Sequence, residues 1–384
     1  MEWMAAFVSW ALLLTACSSG TSGYTDEVQP DDPTATLILH TALLDKTRAA
    51  DIPADSPVEY MYTLRIIVLH ADGSVEHNVH VDFGNSPQTE CFRILKVTRN
   101  ETKKIYLIAN EESVSSELHG KLETLTAGDN TFRSIVDELY FTPDYKNPIP
   151  MSSVYDVPVN AESLVERQFY LVRAATKFTF RLTNERENAV SVDAIGISGI
   201  VGKTYLIPHK KEKEMLFEGE SFFWIDWLKK VADESQNHPE DVTLADRRGW
   251  IQDYDIPSAQ IPEEVVVRSP TLVPGLTYHV NEAPTPGEKI FPVFYLPESK
   301  NLKDGAQEYG EQAYMMTLHL TEKTSGGEAG TSEEKKVSFT RSFPNLRALF
   351  RNTHILVDVT FWEEGVKVDV IPYSEVILKP DFGL

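Results

Sequence analysis

Cys17 closes the run Leu14-Thr15-Ala16-Cys17, directly behind an apolar stretch at residues 5–14. A small residue before a cysteine, behind a short apolar segment, is what bacterial lipoprotein processing requires. Cleavage ahead of the cysteine frees its amino group, and thiol and amine are then acylated. Each buried CH2 of an acyl chain contributes about 0.8 kcal/mol, so several chains hold a protein on a bilayer. The apolar run is too short to span a membrane and fits a leader h-region. Ser18 follows the cysteine, and no Asp stands there to favour inner-membrane retention. The preceding Met1-Glu2-Trp3-Met4 carries no Lys or Arg, which is atypical for such a leader. Cys91 is the other cysteine. With Cys17 lipidated no disulfide can form, and Cys91, flanked by Phe92 and Ile94, is expected to be a buried, inert thiol.

Other chemistry-bearing groups are sparse. His70, His77 and His80 lie around the turn at Gly73, where His70 and His77 could face each other across a hairpin. No cysteine or carboxylate pattern completes a metal set, so a satisfied or solvated histidine group is expected, with no metal and no cofactor. Trp224, Trp227 and Trp250 form an aromatic group that either covers a sheet face or offers a stacking surface to a sugar or protein. There is no HExxH, P-loop or GxGxxG. Gly196-Ile197-Ser198-Gly199 lacks the spacing of a nucleophile elbow. The sequence therefore predicts a protein that is not an enzyme. Its net charge of −22 repels phosphate backbones, which argues against a nucleic-acid partner.

The elements that would position these groups are mostly strands. The chain has 384 residues, 22 of them proline and 20 glycine, many lying between short β-branched runs. Residues 18–33 read as a flexible tether. Residues 35–44 alternate, with Leu37, Leu39 and Leu43 on one face. A strand at 60–70 has apolar residues on both faces, which implies burial of both. It turns at Ala71-Asp72-Gly73-Ser74 into a partner at 75–83. Further strands are expected at 92–97 and 104–109, a helix at 111–125 and a short helix at 132–140. The proline-rich 143–158 is expected to be loop or edge. A second β series begins near Phe169, with a bulge expected where Gly196 and Gly199 interrupt a strand at 190–200. It is broken by a charged, then aromatic excursion at 209–263, and it ends with alternating Val366, Val368 and Val370. Beyond Pro372, Val376 and Leu378 share one face of a second short apolar segment.

Several segments together resemble the FimA-like fimbrillins, the type V pilin superfamily of the Bacteroidia. They are Leu14 to Cys17, Thr47-Arg48-Ala49, Leu64-Arg65-Ile66-Ile67-Val68 with Asp72-Gly73 and Asn78, and Ile105-Tyr106-Leu107-Ile108-Ala109-Asn110. Later come Val172-Arg173-Ala174-Ala175-Thr176-Lys177-Phe178, Phe294-Tyr295-Leu296-Pro297-Glu298 and Arg351-Asn352-Thr353-His354.

The resemblance implies a mainly β fold of two β-sandwich (transthyretin-like) domains with a few short helices. The expected division is 1–17 leader, 18–48 tether and removable first strand, 49–165 first domain and 166–384 second domain, with candidate donor strands at 366–384. It also implies an outer-membrane lipoprotein cut between Arg48 and Ala49 by an arginine-specific protease. Lys46 offers an alternative cut to a lysine-specific enzyme. The freed slot would take the C-terminal strand of another pilin subunit, through Val366, Val368, Val370, Val376 and Leu378, in a fimbria that supports adhesion. A shaft, tip or lipid-retained anchor role, and a host protein or glycan receptor, all remain compatible. For such an exchange, 35–44 is expected to lie inserted beside 366–378. The reading from a different class is a monomeric glycan-binding lipoprotein with its three tryptophans exposed.

Overall fold

A computed structural model describes residues 33–44, 56–186 apart from 162, 190–207 apart from 199, short pieces between 216 and 280, and 293–300, 314–325, 332–342, 348–349, 351–362 and 365–372. Strand dominates, as the short β-branched runs require.

The first half contains β1 (Thr34–Leu43), β2 (Thr63–Leu69), β3 (Val75–Asp82), β4 (Glu90–Thr98) and β5 (Glu101–Ala109). It continues with the two-residue β6 (Tyr140–Phe141), then β7 (Met151–Val159) and β8 (Leu164–Arg173). All but β6 form one seven-stranded sheet in the order β3-β2-β5-β7-β8-β1-β4. β8 runs parallel to β1 from Leu164 to Leu171, then pairs with β7 through Val172 and Arg173. It thereby joins two leaves that share one core. Leu37 and Leu39 from β1, Leu64 and Ile66 from β2, Leu107 from β5 and Phe169 from β8 all meet there. The ends of the sheet also approach: His77 Nε2 on β3 lies 2.6 Å from the Lys96 carbonyl oxygen on β4.

β2 is buried on both faces, as its composition requires. Leu64, Ile66 and Val68 enter the core between the leaves. Ile67 and Leu69 face outward under two helices, α1 (Ser116–Glu123) and α2 (Phe132–Val136), packing with Leu118, Leu122 and Phe132. Gly73 supplies the φ of +90° that the β2–β3 turn needs.

Two expectations need correction here. The helix expected at 111–125 is broken into a 3-10 turn at Glu111–Ser113 and α1. Asn110 is left-handed, with φ 58°, and its side chain bonds the Tyr62 amide and the Tyr60 and Ile149 carbonyls. The chain restarts at Ser115, whose hydroxyl caps α1 through the Leu118 amide. The proline-rich 143–158 is loop up to residue 150 and then β7, which has a partner on both sides only at Met151 and Ser152 and is an edge beyond them, as expected. Its Pro158 is tolerated because β7 meets β8 only at Met151 and Ser152, so at Pro158 the ladder runs to β5 alone. Finally, the first sheet continues through Arg173, past the 165/166 division, because β8 pairs with both β1 and β7.

The second half packs two sheets around another core. One contains β9 (Thr176–Asn184), β11 (Val293–Leu296), β14 (Thr353–Trp362) and β15 (Gly365–Pro372); the other is built on β10 (Val190–Ser198), β12 (Met315–Ser325) and β13 (Ser332–Ser342). Phe178, Phe180, Val192, Met316, Val357 and Phe361 fill the space between them. The bulge in β10 falls between Val192 and Ala194, and Gly196 pairs regularly with Thr317. β15 pairs with β14 and forms the edge of its sheet among the described residues.

Candidate functional site

The period-two pattern of 35–44 places a strand with one apolar side in the interior of a sheet. β1 is antiparallel to β4 from Thr34↔Thr98 to Ala42↔Glu90, and parallel to β8 from Thr36↔Leu164 to Leu43↔Leu171. Ala35, Leu37 and Leu39 are fully buried, and Leu43 nearly so. Without β1, β4 and β8 have no ladder to each other, and the inward side chains leave an apolar slot. The Thr41 hydroxyl, also inward, is buried without a hydrogen-bond partner. Opposite it in register lies Cys91. Burial pushes that thiol up from its ordinary range, as befits an inert thiol.

The outer side of the same leaf is partly apolar. Phe92, Ile94 and Leu164 are 48%, 55% and 50% exposed. They flank His40, whose Nε2 lies 2.7 Å from Glu166 Oε1 and whose ring meets Phe92 edge-on. Cys91 is buried because it points the opposite way from these neighbours.

β1 ends in a polar junction between the two halves. The Leu44 carbonyl accepts from Arg173, at 3.2 Å, and from the Asn352 amide, at 3.5 Å. Arg173 Nε donates to the Glu59 carbonyl. Asn352, in a left-handed turn with φ 57°, donates its backbone N–H to the Arg173 and Ala175 carbonyls. The buried Glu59 carboxylate is held by Lys177, at 2.9 Å, and by the Tyr295 hydroxyl. Burial and that carboxylate push the Tyr295 phenol far above its ordinary range. Alongside, the buried Arg351 pairs with Glu298 and donates to the Leu206 and Tyr205 carbonyls. The three downstream segments that carried the resemblance therefore converge on this junction. Their charged residues tie the halves together, and the sequence alone offered no signal for that.

The histidines around Gly73 do not meet one another. His77 turns to β4, as above. His70 Nδ1 lies 2.7 Å from Glu101, in a group with Glu76 where the buried Lys103 ammonium already sits, 2.5 Å from Glu76. Burial pushes Glu101 up, but the Ala71 amide, Lys103 and His70 pull it down further, to about 2. His80 instead meets Glu112 and His119; the latter escaped sequence reasoning because it stands on α1, far along the chain.

Val366 packs into the second core and Val368 against it, while Val370 pairs with Val357. β15 is therefore not beside β1, contrary to the arrangement expected for exchange: β14 holds it in the other half. Cys17, Lys46, Arg48, Ala49, Trp224, Trp227, Trp250, Val376 and Leu378 lie outside the described residues.

No family model matches the chain, and no curated protein does. Among solved structures, it is similar to a Parabacteroides distasonis protein described as a cell-adhesion candidate, with TM-score 0.49 and 14% identity over 90% of this chain and 99% of that one. It is also similar to the tip fimbrial protein Mfa3 of Porphyromonas gingivalis, with TM-score 0.46 and 10% identity over 88% and 100%. A third is the fimbrial anchor protein Mfa2 of the same organism, with TM-score 0.34 and 10% identity over 88% and 99%.

Proposed function

We propose that this chain is a subunit of a surface fimbria, exported as a lipoprotein through Cys17, cut between Arg48 and Ala49, and polymerised by strand exchange. The observation that carries this reading is the place of β1. It is an interior strand, it belongs to the N-terminal end of the chain, and it stops at Leu44, just ahead of Arg48. A cut there severs β1 from everything downstream. What then holds it is two ladders and a row of leucines, which a strand from another subunit can reproduce.

The donor segment follows from the same logic. Withdrawing β15 would strip Val366 and Val368 from their own core. The segment beyond Pro372, with Val376 and Leu378, carries the alternation needed to enter the slot, so it donates while β15 stays home. The partners are other subunits, an arginine-specific protease and, before cleavage, the outer membrane. Arg48→Ala leaves a full-length lipidated precursor that does not assemble, and N-terminal sequencing of the surface-exposed mature protein begins at Ala49. Deleting residues 373–384 leaves a folded monomer that blocks extension. A mature form that retains acylated Cys17 and stays solitary at high concentration overturns the reading. So does a polymer that forms normally from Arg48→Ala with an uncut N-terminus.

A further inference from the structure

The geometry points to a binding site for a divalent transition-metal ion, of the zinc class, formed by His80, Glu112 and His119 on the outer face of the first sheet. Three separate segments bring them together. His80 stands on β3, in register with Arg65 on β2. Glu112 lies in the 3-10 turn Glu111–Ser113, and His119 lies on α1. Ligand atoms in a tetrahedral zinc site sit about 2.0–2.2 Å from the ion, which sets them about 3.4 Å apart from one another. His80 Nε2 is 3.4 Å from Glu112 Oε1, and His119 Nδ1 is 3.5 Å from the same oxygen. Those two separations are too long for hydrogen bonds but match two edges of such a tetrahedron. His80 Nε2 is buried and has no hydrogen-bond partner.

The charge of the surroundings suits a dication. Glu111, Glu112 and Glu123 contribute three carboxylates around the two imidazoles, and Arg65 is the guanidinium among them. Two negative charges are left over when the imidazoles are neutral. Glu111 is not a ligand, because Arg65 occupies both of its oxygens at 2.6–3.0 Å. Its Oε1 is 2.8 Å from His119 Nδ1. Coordination replaces that hydrogen bond, with the His119 proton carried on Nε2. Two imidazoles and one carboxylate select a transition ion over calcium or magnesium. Three protein ligands leave a fourth position for water or for a side chain of a neighbouring protein. Bound metal would pin α1 to β3. The group of His70, Glu76 and Glu101 makes the contrast, since Lys103 fills its centre.

The test is calorimetric titration of the full chain with zinc chloride, paired with the visible spectrum of the cobalt(II) form, which reports tetrahedral coordination. His80→Ala, His119→Ala and Glu112→Gln are each compared with His77→Ala, and circular dichroism confirms that every variant is folded. One ion per chain, a tetrahedral cobalt spectrum, and an affinity loss of about tenfold or more in each of the three variants but not in His77→Ala, is the expected result. No zinc binding at millimolar concentration overturns the proposal, as does binding that survives His80→Ala and His119→Ala together.

Discussion

Removing β1 should open the first half of the molecule while leaving the second intact. The perturbation is a chain that starts at Ala49, set against one that starts at Ser18. Leu37, Leu39, Leu43 and Leu44 are at most 5% exposed. At about 2 kcal/mol for each leucine returned to water, their loss amounts to about 8 kcal/mol, an upper estimate. Domain stabilities run at about 5–15 kcal/mol, so the loss is of the same size as the whole margin. The backbone groups of β4 and β8 that faced β1 lose their partners as well. Hydrogen exchange read by mass spectrometry locates the effect: amides of β4 and β8 should lose protection, while β9 and β14 serve as the internal control. Sedimentation at rising concentration shows whether the slot is filled by another copy. If oligomers form, deleting residues 373–384 from the same chain should return monomers with exposed β4 and β8. Full protection of β4 and β8 in a trimmed protein that stays monomeric refutes the argument, because the slot would then have closed on itself.

Cys91, opposite Thr41, should react slowly with a thiol reagent in the intact chain and at least tenfold faster in the trimmed one; equal rates would place β1 elsewhere. Thr41→Val replaces a buried, unpartnered hydroxyl with a methyl group and should raise the intact chain's stability by about 1 kcal/mol in urea, while leaving the trimmed chain unchanged. Arg65→Met strands the buried Glu111 carboxylate and should cost about 3–5 kcal/mol by urea midpoint, with Glu111→Gln in addition recovering much of it. Glu101 titrates at about 2 when folded, below its ordinary 4.5, so the stability it contributes is complete above pH 4.5 and is lost as pH falls toward 2. Glu101→Gln should flatten the urea midpoint in that window, and an unchanged pH profile would contradict the pairing.

Where local pattern decides structure, the sequence was a sufficient guide. Thr34–Leu43 alternates through its whole length and becomes a strand with one buried side. The double-sided apolar run of β2 is buried twice, once between leaves and once under helices. The failures have a common cause, since in each a distant partner outweighs local preference. The helix after Asn110 breaks because the Asn110 side chain is claimed by Tyr60, Tyr62 and Ile149. His80 was grouped with its neighbours in sequence, but across a pleat residues three apart point to opposite faces, as His77 and His80 do. Its actual companion is on α1.

The junction explains why β1 belongs to the whole molecule and not only to the first sheet. Arg173 stands at the last position of β8, Asn352 just ahead of β14, and Glu59 before β2; each contributes to a buried polar group that also takes up the Leu44 carbonyl. A buried guanidinium requires its acceptors, because an acceptor lost in the interior costs more than the same bond lost at the surface. Departure of β1 therefore does two things at once: it empties an apolar slot between β4 and β8, and it takes a backbone acceptor from the residues that couple the halves. A replacement strand that fills only the leucine positions repairs the first defect. One that also extends to the junction, presenting a carbonyl where Leu44 had it, repairs both, and so is favoured by hydrogen bonding as well as by burial. Under the strand exchange proposed above, the slot selects a donor for length as well as for hydrophobic pattern.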